Sequence, residues 1–574
     1  MRCAATCPSD LTNKSPDDDD RAAQPRRRDD LSMKNMTHER SIKRLRALLT
    51  ASLLFACAPA LAASAIDARV TVDAGKPGPR IDPNIYGQFV EHLGRGVYEG
   101  IWVGENSSIP NVRGIRSDVV SALRRIRVPL VRWPGGCFAE LYHWRDGIGP
   151  RNKRPRNVNS AWGDEPETNA FGTHEFMDFV EQIGAKAFLS INVTTGTPGE
   201  ARDWLQYMTE PPESALGAQR AANGHPQPYE VPFVGIGNET WGCGGNMTAS
   251  YYADVYRTYV SALRAPGRQL IASDANSDDY EWTQTLLNKA LYRHTREFTE
   301  SAELAYVNRQ SQIDMMSIHF YTFSGNDWGK KSAALGFTAD EWASSMLRTS
   351  RTDEMIRRHS AILDKYDPEK RIGISFSEWG TWWATDEKRP SNLYQQNTLR
   401  DAVIAGMTLN IFQNHAERVR MANIAQMINV LQSMILTRGK DMVLTPTYHV
   451  FDLYQAHQSA SLLPAQVVTD DYVSGSIRIP AISVSASRNE KGVVHLSIVN
   501  LDPARDANIA LTLNGAKAGS ASARVLTAPA MDAHNDFDAP AQLVPSEVTN
   551  IRVRGSNVTL KAPAKSVLVL ALAP

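Results

Sequence analysis

An eight-stranded (β/α)8 barrel followed by an antiparallel β-sandwich is the fold class this sequence predicts, and three observations carry that prediction. Between residues 85 and 426, short β-branched apolar runs alternate with amphipathic stretches such as Ser117–Ile126 and Thr173–Ile183. Those runs end on polar or charged residues, as strands do where they open onto a barrel face. From about residue 460 the pattern changes to short alternating runs with turn residues between them, which reads as a jelly-roll sandwich. A chain of 574 residues is long enough for both units. An open doubly wound sheet is the alternative for the first.

The amino-terminal end reads differently from the rest. Residues 1–35 carry blocks of like charge, Asp17–Asp20 and Arg26–Arg28, and cannot bury a core. They read as a disordered extension or as sequence upstream of a true start at Met36. Residues 36–62 have the form of a signal peptide: basic Lys43, Arg44 and Arg46, an apolar run from Ala47 to Ala58, then Ala60-Leu61-Ala62. The run is too short for an ordinary transmembrane helix. The expectation is export, to the periplasm or as a secreted protein, with lipid anchoring at Cys57 as a lesser alternative. Residues 66–80 hold an alternating strand that precedes the barrel and is expected to join the sandwich.

The barrel is expected over 81–457. Its eight strand-like runs are 85–91 (IYGQFVE), 128–134 (VPLVRWP), 185–193 (AKAFLSINV), 232–239 (PFVGIGNE), 268–275 (RQLIASDA), 313–321 (IDMMSIHFY), 370–379 (KRIGISFSEW) and 419–426 (VRMANIAQ). The sandwich is expected over 458–574, on runs at 467–473, 476–486, 492–500, 508–513, 522–527, 549–553 and 566–572.

Bulk properties narrow the function. Lys+Arg 62 balance Asp+Glu 62, which argues against nucleic acid or an anionic membrane as partner. Only Cys137 and Cys243 of the five cysteines lie in the folded body, so no disulfide framework holds it; a bond between those two stays open. There is no His-Glu-x-x-His, no Walker loop and no Gly-x-Ser-x-Gly elbow. Gly235-Ile-Gly-Asn-Glu-Thr240 starts like a dinucleotide fingerprint but lacks its third glycine. Neither metal nor organic cofactor is implied.

The strand ends, in order, are Glu91, Arg132, Asn192, Asn238 with Glu239, Asp274, His319 with Tyr321, Glu378, and Gln426. Any one of these read alone is a capped or salt-bridged loop residue. Together they converge on one face of a barrel and favour an active site. Glu239 and Glu378 are the minimum equipment for breaking a glycosidic bond, one as acid/base and one as nucleophile or base. Asn238 is placed to hydrogen-bond a sugar hydroxyl, and Tyr321 to hold Glu378 ionised. Arg132 can clamp a carboxylate or hydroxyl, and His319 can orient a carboxylate. Trp241, Trp379, Trp382 and Trp383 follow the glutamates closely and offer flat faces to sugar rings.

Several stretches are similar to a known group. They are Gly87–Arg95 (GQFVEHLGR), Val131–Gly136 (VRWPGG), Tyr142–Pro150 (YHWRDGIGP), Glu167–Thr173 (ETNAFGT), Gly196–Pro198, Gly237–Glu239, Ser377–Trp379, Ala422–Gln426 (ANIAQ) and Met442–His449 (MVLTPTYH). In this order, from about residue 66 to 574, the chain resembles the α-L-arabinofuranosidases of glycoside hydrolase family 51. The resemblance implies an exo-acting retaining hydrolase on arabinose-containing polysaccharide or oligosaccharide, with Glu239 as acid/base and Glu378 as nucleophile. It puts Glu91, Arg132, Cys137, Asn238, Tyr321 and Gln426 around the terminal furanose or against the carboxylates, with His319 nearby; Trp241 and Trp382 join the substrate-binding candidates for their flat faces alone. It also implies that Cys137 is a free thiol in the pocket, and it allows a homo-oligomer without deciding between oligomer and monomer. The loop Thr240–Met247 matches only some members, so the leaving group is not implied. The alternatives are the same machinery on a β-xyloside, a galactofuranoside or a β-glucan, or a catalytically silent sugar-binding protein. A retaining mechanism sets the two carboxyl groups about 5–5.5 Å apart.

Overall fold

Eight parallel strands close on themselves in the computed structural model, which describes residues 64–291, 313–325, 327–385 and 392–574. In order they are Gly87–Phe89, Leu130–Trp133, Lys186–Ile191, Phe233–Ile236, Gln269–Asn276, Met315–Thr322, Gly373–Thr381 and Val419–Ala425, here called barrel strands one to eight. Each pairs with the next, and strand eight returns to strand one through Asn423, Ile424 and Ala425 opposite Gly87, Gln88 and Phe89. Strand one is shorter than its apolar run because Pro83–Tyr86 turns as a 3-10 helix, started by the Asp82 side chain accepting from the Asn84 amide at 2.9 Å.

Residues whose side chains point inward fill the barrel. Leu130, Phe188, Phe233, Ile271, Met315 and Met421, from six different strands, form an apolar cluster separate from the main core. Helices cover the outside. Thr173–Ile183 shows why the local sequence folds as it does: Glu175 accepts from the Gly172 amide at its start, and Gly184 ends it at φ 74. Between them Phe176, Phe179, Val180 and Ile183 are buried toward the strands.

The carboxy-terminal part makes two sheets. One, of six strands, is antiparallel throughout and runs Ser461–Leu463, Ile482–Arg488, Val494–Asn500, Ser566–Ala573, Ser520–Leu526, Ser546–Glu547. The other has five, and its second is Ile66–Asp73, which pairs antiparallel with Ala465–Thr469 and parallel with Ala507–Asn514. That parallel pair departs from a purely antiparallel sandwich, since the strand arrives from the far end of the chain. Asn557–Ala562, unmarked in the sequence reading, is a full strand of this sheet.

One helix joins the two parts. Leu399–Asn414 is buried at every position from Leu399 to Gln413. Its buried positions include polar Arg400, Asp401, Asn410 and Gln413 as well as apolar ones, so no face is left to solvent, and the helix lies between the barrel and the six-stranded sheet. Asn414 Nδ2 donates to Val484 O at 3.0 Å, and Ser497 Oγ donates to Asn410 Oδ1 at 2.5 Å. A Cβ added at Gly406 would meet the methyls of Val499 and Val567 at 3.1 Å. Trp342, on the long helix Ala339–Tyr366, adds a bond from Nε1 to Leu501 O at 2.9 Å.

Gly406→Leu is expected to destabilise the protein by about 1–3 kcal/mol through overpacking of this seam. Thermal denaturation reads this as a lowered midpoint. A midpoint equal to or above that of the parent would show that the seam is loosely packed.

Candidate active site

The floor of the site is a buried guanidinium. Arg132, on strand two, sits over the Phe89 ring at 4.6 Å and satisfies its donors around the barrel. Nε donates to Ser190 Oγ at 3.0 Å, Nη1 to Ser377 O at 3.2 Å and to Glu378 Oε1 at 2.8 Å, and Nη2 to Asn238 Oδ1 at 2.6 Å. One side chain thus ties strands two, three, four and seven together.

Glu378 on strand seven receives a further bond from Tyr321 Oη at 2.7 Å, and His319 Nδ1 lies 3.7 Å from its other side. Burial alone would raise its pKa. The charges of His319 and Arg132, with the hydrogen bonds from Arg132 and Tyr321, outweigh burial and hold the carboxyl below its ordinary value. Burial and the adjacent Glu378 charge push the Tyr321 hydroxyl well up, so it stays protonated and donates.

Glu239 stands one turn beyond strand four, in a backbone that must bend sharply. Gly237 has φ 84 and Glu239 φ 41. A Cβ on Gly237 would lie 2.8 Å from Thr240 and Val193, so glycine is required there. The bend is held by Glu140, whose carboxylate accepts from the amides of Asn238 at 2.6 Å, Val193 at 2.8 Å and Thr194 at 2.9 Å. Glu239 Oε1 then meets His319 Nδ1 at 2.9 Å. An oxygen of Glu239, a nitrogen of His319 and an oxygen of Glu378 all lie within 4.8 Å of one another.

Glu91 forms the opposite wall. Phe138 N and Trp162 Nε1 each donate to its Oε1 at 2.9 Å, and Gln426 exchanges bonds with it, accepting from the Glu91 amide at 3.1 Å and donating to Oε2 at 3.3 Å. Burial first, then repulsion from Glu378, raise its carboxyl to about 7. Gly136 lets the backbone pass between these acids: a Cβ there would be 2.8 Å from Glu378 Oε1. At the rim, Trp162 and Trp382 pack on an apolar cluster of Phe89, Leu93, Tyr321 and Leu431. Trp328, 48% exposed, meets Trp382 edge-on at 4.9 Å between ring centroids.

The structure therefore brings together Glu91, Arg132, Asn238, Glu239, His319, Tyr321, Glu378 and Gln426, with Trp382 at the edge. Other strand-end candidates take structural roles. Asn192 accepts from the amides of Thr194, Thr195 and Gly196 and so shapes a loop. Asp274 points outward to Thr283 Oγ1 at 3.0 Å, and burial raises its carboxyl to about 8. Trp379 and Trp383 are core residues, not sugar platforms. Trp379 follows Glu378 on the strand, faces the other way, and stacks on Phe451; Trp383 donates to Asp401 at 2.8 Å. Trp241 is half-buried against the main core.

Cys137 is not a free thiol. It is bonded to Cys243, their Cα atoms 5.6 Å apart, because the turn after strand two and the loop after strand four meet over the pocket. Glu140, Trp162, Ser190 and Trp328 were missed by the sequence reading. Glu140 lies three residues beyond Cys137, where its position beside a marked motif was the only signal.

A closed parallel barrel carrying two facing carboxylates, one held ionised, defines the site of a glycoside hydrolase. Comparison with known proteins agrees. Residues 122–311 match the family description Alpha-L-arabinofuranosidase 1 domain, and residues 377–566 match Alpha-L-arabinofuranosidase C-terminal domain. The intracellular exo-α-L-arabinofuranosidase of Bacteroides ovatus is 41% identical, over 92% of this chain and all of that protein. The structure of the GH51 arabinofuranosidase from Xanthomonas axonopodis pv. citri is 44% identical with a TM-score of 0.84, covering 88% of this chain and all of that one. That from Thermotoga petrophila is 29% identical with a TM-score of 0.76, again over 88% of this chain and all of that one. The chain belongs to the α-L-arabinofuranosidases of glycoside hydrolase family 51.

One expectation is overturned by these relatives. The Bacteroides ovatus protein is intracellular by description, which contradicts export to the periplasm or the medium. The segments that prompted export, 36–62 with Cys57, and the extension 1–35, lie outside the described residues. Among those described, no helix is long and apolar enough to cross a membrane.

Asp274 supplies a test of the electrostatics. Its carboxyl rises from 3.8 unfolded to about 8 folded, so the folded state holds a proton that the unfolded state releases. Its contribution is full below the unfolded value and is lost as pH rises toward 8. Between pH 5 and 8, wild type should lose more stability than Asp274→Asn, by a few kcal/mol to order of magnitude. Denaturant midpoints at the two pH values check this; an equal loss in both proteins would refute a buried, proton-holding Asp274.

Proposed function

We propose that this protein is an exo-acting α-L-arabinofuranosidase that releases terminal arabinofuranose by double displacement, with Glu378 as nucleophile and Glu239 as acid/base. The observation that carries the assignment is the unequal environment of two close carboxylates. Glu378 is held ionised by Arg132 and Tyr321, as a nucleophile must be. The Glu239 side chain is 20% exposed against 8% for Glu378, so it reaches both a leaving group and incoming water. Oxygens within 4.8 Å of each other suit direct attack better than the wider gap that accommodates a water between them.

In the first step Glu378 attacks the anomeric carbon while Glu239 gives its proton to the glycosidic oxygen. In the second, Glu239 takes a proton from water, which displaces Glu378 from the sugar. His319 bridges the two acids and steadies Glu239. Arg132 holds Asn238 by its oxygen and so turns the amide nitrogen toward the sugar, where a bond to a ring hydroxyl strengthens as positive charge develops. Glu91 and Gln426 close the far wall and leave room for a terminal unit. Trp382 and Trp328 offer aromatic surface on the leaving-group side. Plant polymers bearing arabinose branches, arabinan and arabinoxylan, are the substrates this reading favours, and L-arabinose metabolism is its setting. We carry forward a homo-oligomer as the working form, which sedimentation tests.

The decisive experiment is release of 4-nitrophenol from its α-L-arabinofuranoside. Glu378→Ala should abolish release. Glu239→Ala should slow turnover by about 10²–10⁴-fold, and azide should restore it with formation of the α-arabinofuranosyl azide, the retained configuration that attack on the Glu378-linked sugar gives. No release by well-folded wild type, or a first product of inverted configuration, would defeat the proposal. Activity on a β-xyloside, galactofuranoside or β-glucan instead would keep the machinery and change the sugar.

A further inference from the structure

The Cys137–Cys243 bond lies beside the acid/base and not in a remote part of the fold. Cys243 is exposed and Cys137 half-buried, so a soluble thiol can reach it. Cys243 Sγ stands 3.7 Å from Glu239 Oε2 and 3.7 Å from Asn238 Nδ2. Both sulfurs and a Glu239 oxygen lie within 4.8 Å of one another. Two sulfurs and a carboxylate oxygen this close together would, once the sulfurs are parted, make three ligands for a tetrahedral d10 cation, with a fourth position left to water. Sulfurs bonded to each other have no thiolate to offer.

We propose that reduction of the Cys137–Cys243 disulfide turns the acid/base loop into a binding site for a thiophilic divalent cation such as Zn2+, with Cys137 Sγ, Cys243 Sγ and the Glu239 carboxylate as ligands. The reductant is a dithiol: it gives two electrons and two protons to the S–S bond and becomes a cyclic disulfide itself. The two protein thiols then lose their protons to solvent as the cation binds. Metal–sulfur bonds of about 2.3 Å in tetrahedral geometry part the sulfurs to roughly 3.8 Å. The state of the pair follows the redox poise of the compartment, so the same chain is metal-tolerant when oxidised and metal-sensitive when reduced. The loss of activity on binding rests on Glu239 being the acid/base, since a carboxylate bound to a cation cannot carry the proton. The nearby set of Glu239, His319 and Glu378 is a poorer site, because Arg132 already occupies Glu378 and repels a cation.

The test uses the full chain, oxidised or reduced with dithiothreitol that is then removed without air, and titrated with Co2+ as a spectroscopic probe. Reduced protein should bind one equivalent with a thiolate-to-cobalt charge-transfer band that Zn2+ abolishes. Oxidised protein of the same sequence should show no band, and nor should Cys243→Ser in either state. Zn2+ should slow arabinofuranoside hydrolysis by the reduced form about 10²-fold or more, the contribution of a general acid/base, and leave the oxidised form unchanged. No thiolate band in reduced protein would overturn the proposal, as would equal inhibition of both forms, which would assign the cation to His319 and the two glutamates. A band without loss of rate, in a protein whose Glu239→Ala variant is slow, would overturn the proposed site by removing Glu239 from the ligand set.

Discussion

Everything at the mouth of this barrel depends on one buried cation. Taking a guanidinium out of water costs several kcal/mol unless each donor finds a partner. Arg132 finds Ser190, the Ser377 carbonyl, Glu378 and Asn238. The same charge that needs these partners keeps Glu378 ionised in a setting where burial would otherwise protonate it. Below it the barrel is plugged by Leu130, Phe188, Phe233, Ile271, Met315 and Met421, so water cannot relieve the charge from beneath. Structure and chemistry are therefore the same requirement here: a strand-two arginine that must be satisfied by the side chains facing the pocket, among them the carboxylate proposed as nucleophile.

The second constraint is steric. Three acids and a guanidinium share a small space only because the backbone comes close to them. Gly136 passes Glu378 with no room for a side chain, and Gly237 adopts a turn that places Glu239 across from it. Such a turn stays formed only if its surroundings over-determine it. Glu140 does this with three backbone amides from the turns that follow strands three and four. The Cys137–Cys243 bond and the Thr240 amide on Ser273 Oγ add to it. The sandwich contributes more remotely, by covering the helix Leu399–Asn414, buried from Leu399 to Gln413, that backs strand seven.

Much of this was legible in the sequence, and for identifiable reasons. Parallel strands buried on both faces read as continuous apolar runs, so all eight barrel strands stood out. A polar residue ending such a run is conspicuous, which exposed Glu91, Arg132, Asn238, Glu239, His319, Tyr321, Glu378 and Gln426 together. The reading could not say which way each one faced. Asp274 ends its run as plainly as Glu378 does, yet it bonds Thr283 outside the barrel. Trp379 and Trp383 lie as near to Glu378 in sequence as Trp382 does, and only Trp382 reaches the rim.

The sequence alone determined the fold class and the two catalytic candidates, because hydrophobic periodicity and strand-end polarity are local properties of the chain, and its ordered motifs carried the resemblance to the family. Only the tertiary structure decided that Cys137 is a disulfide partner of Cys243, that Glu140 and Trp162 support the site, and that an amino-terminal strand completes a carboxy-terminal sheet. Those outcomes depend on which loops meet in space, and residues more than 100 positions apart, as Cys137 and Cys243 are at a separation of 106, leave no periodic trace of meeting.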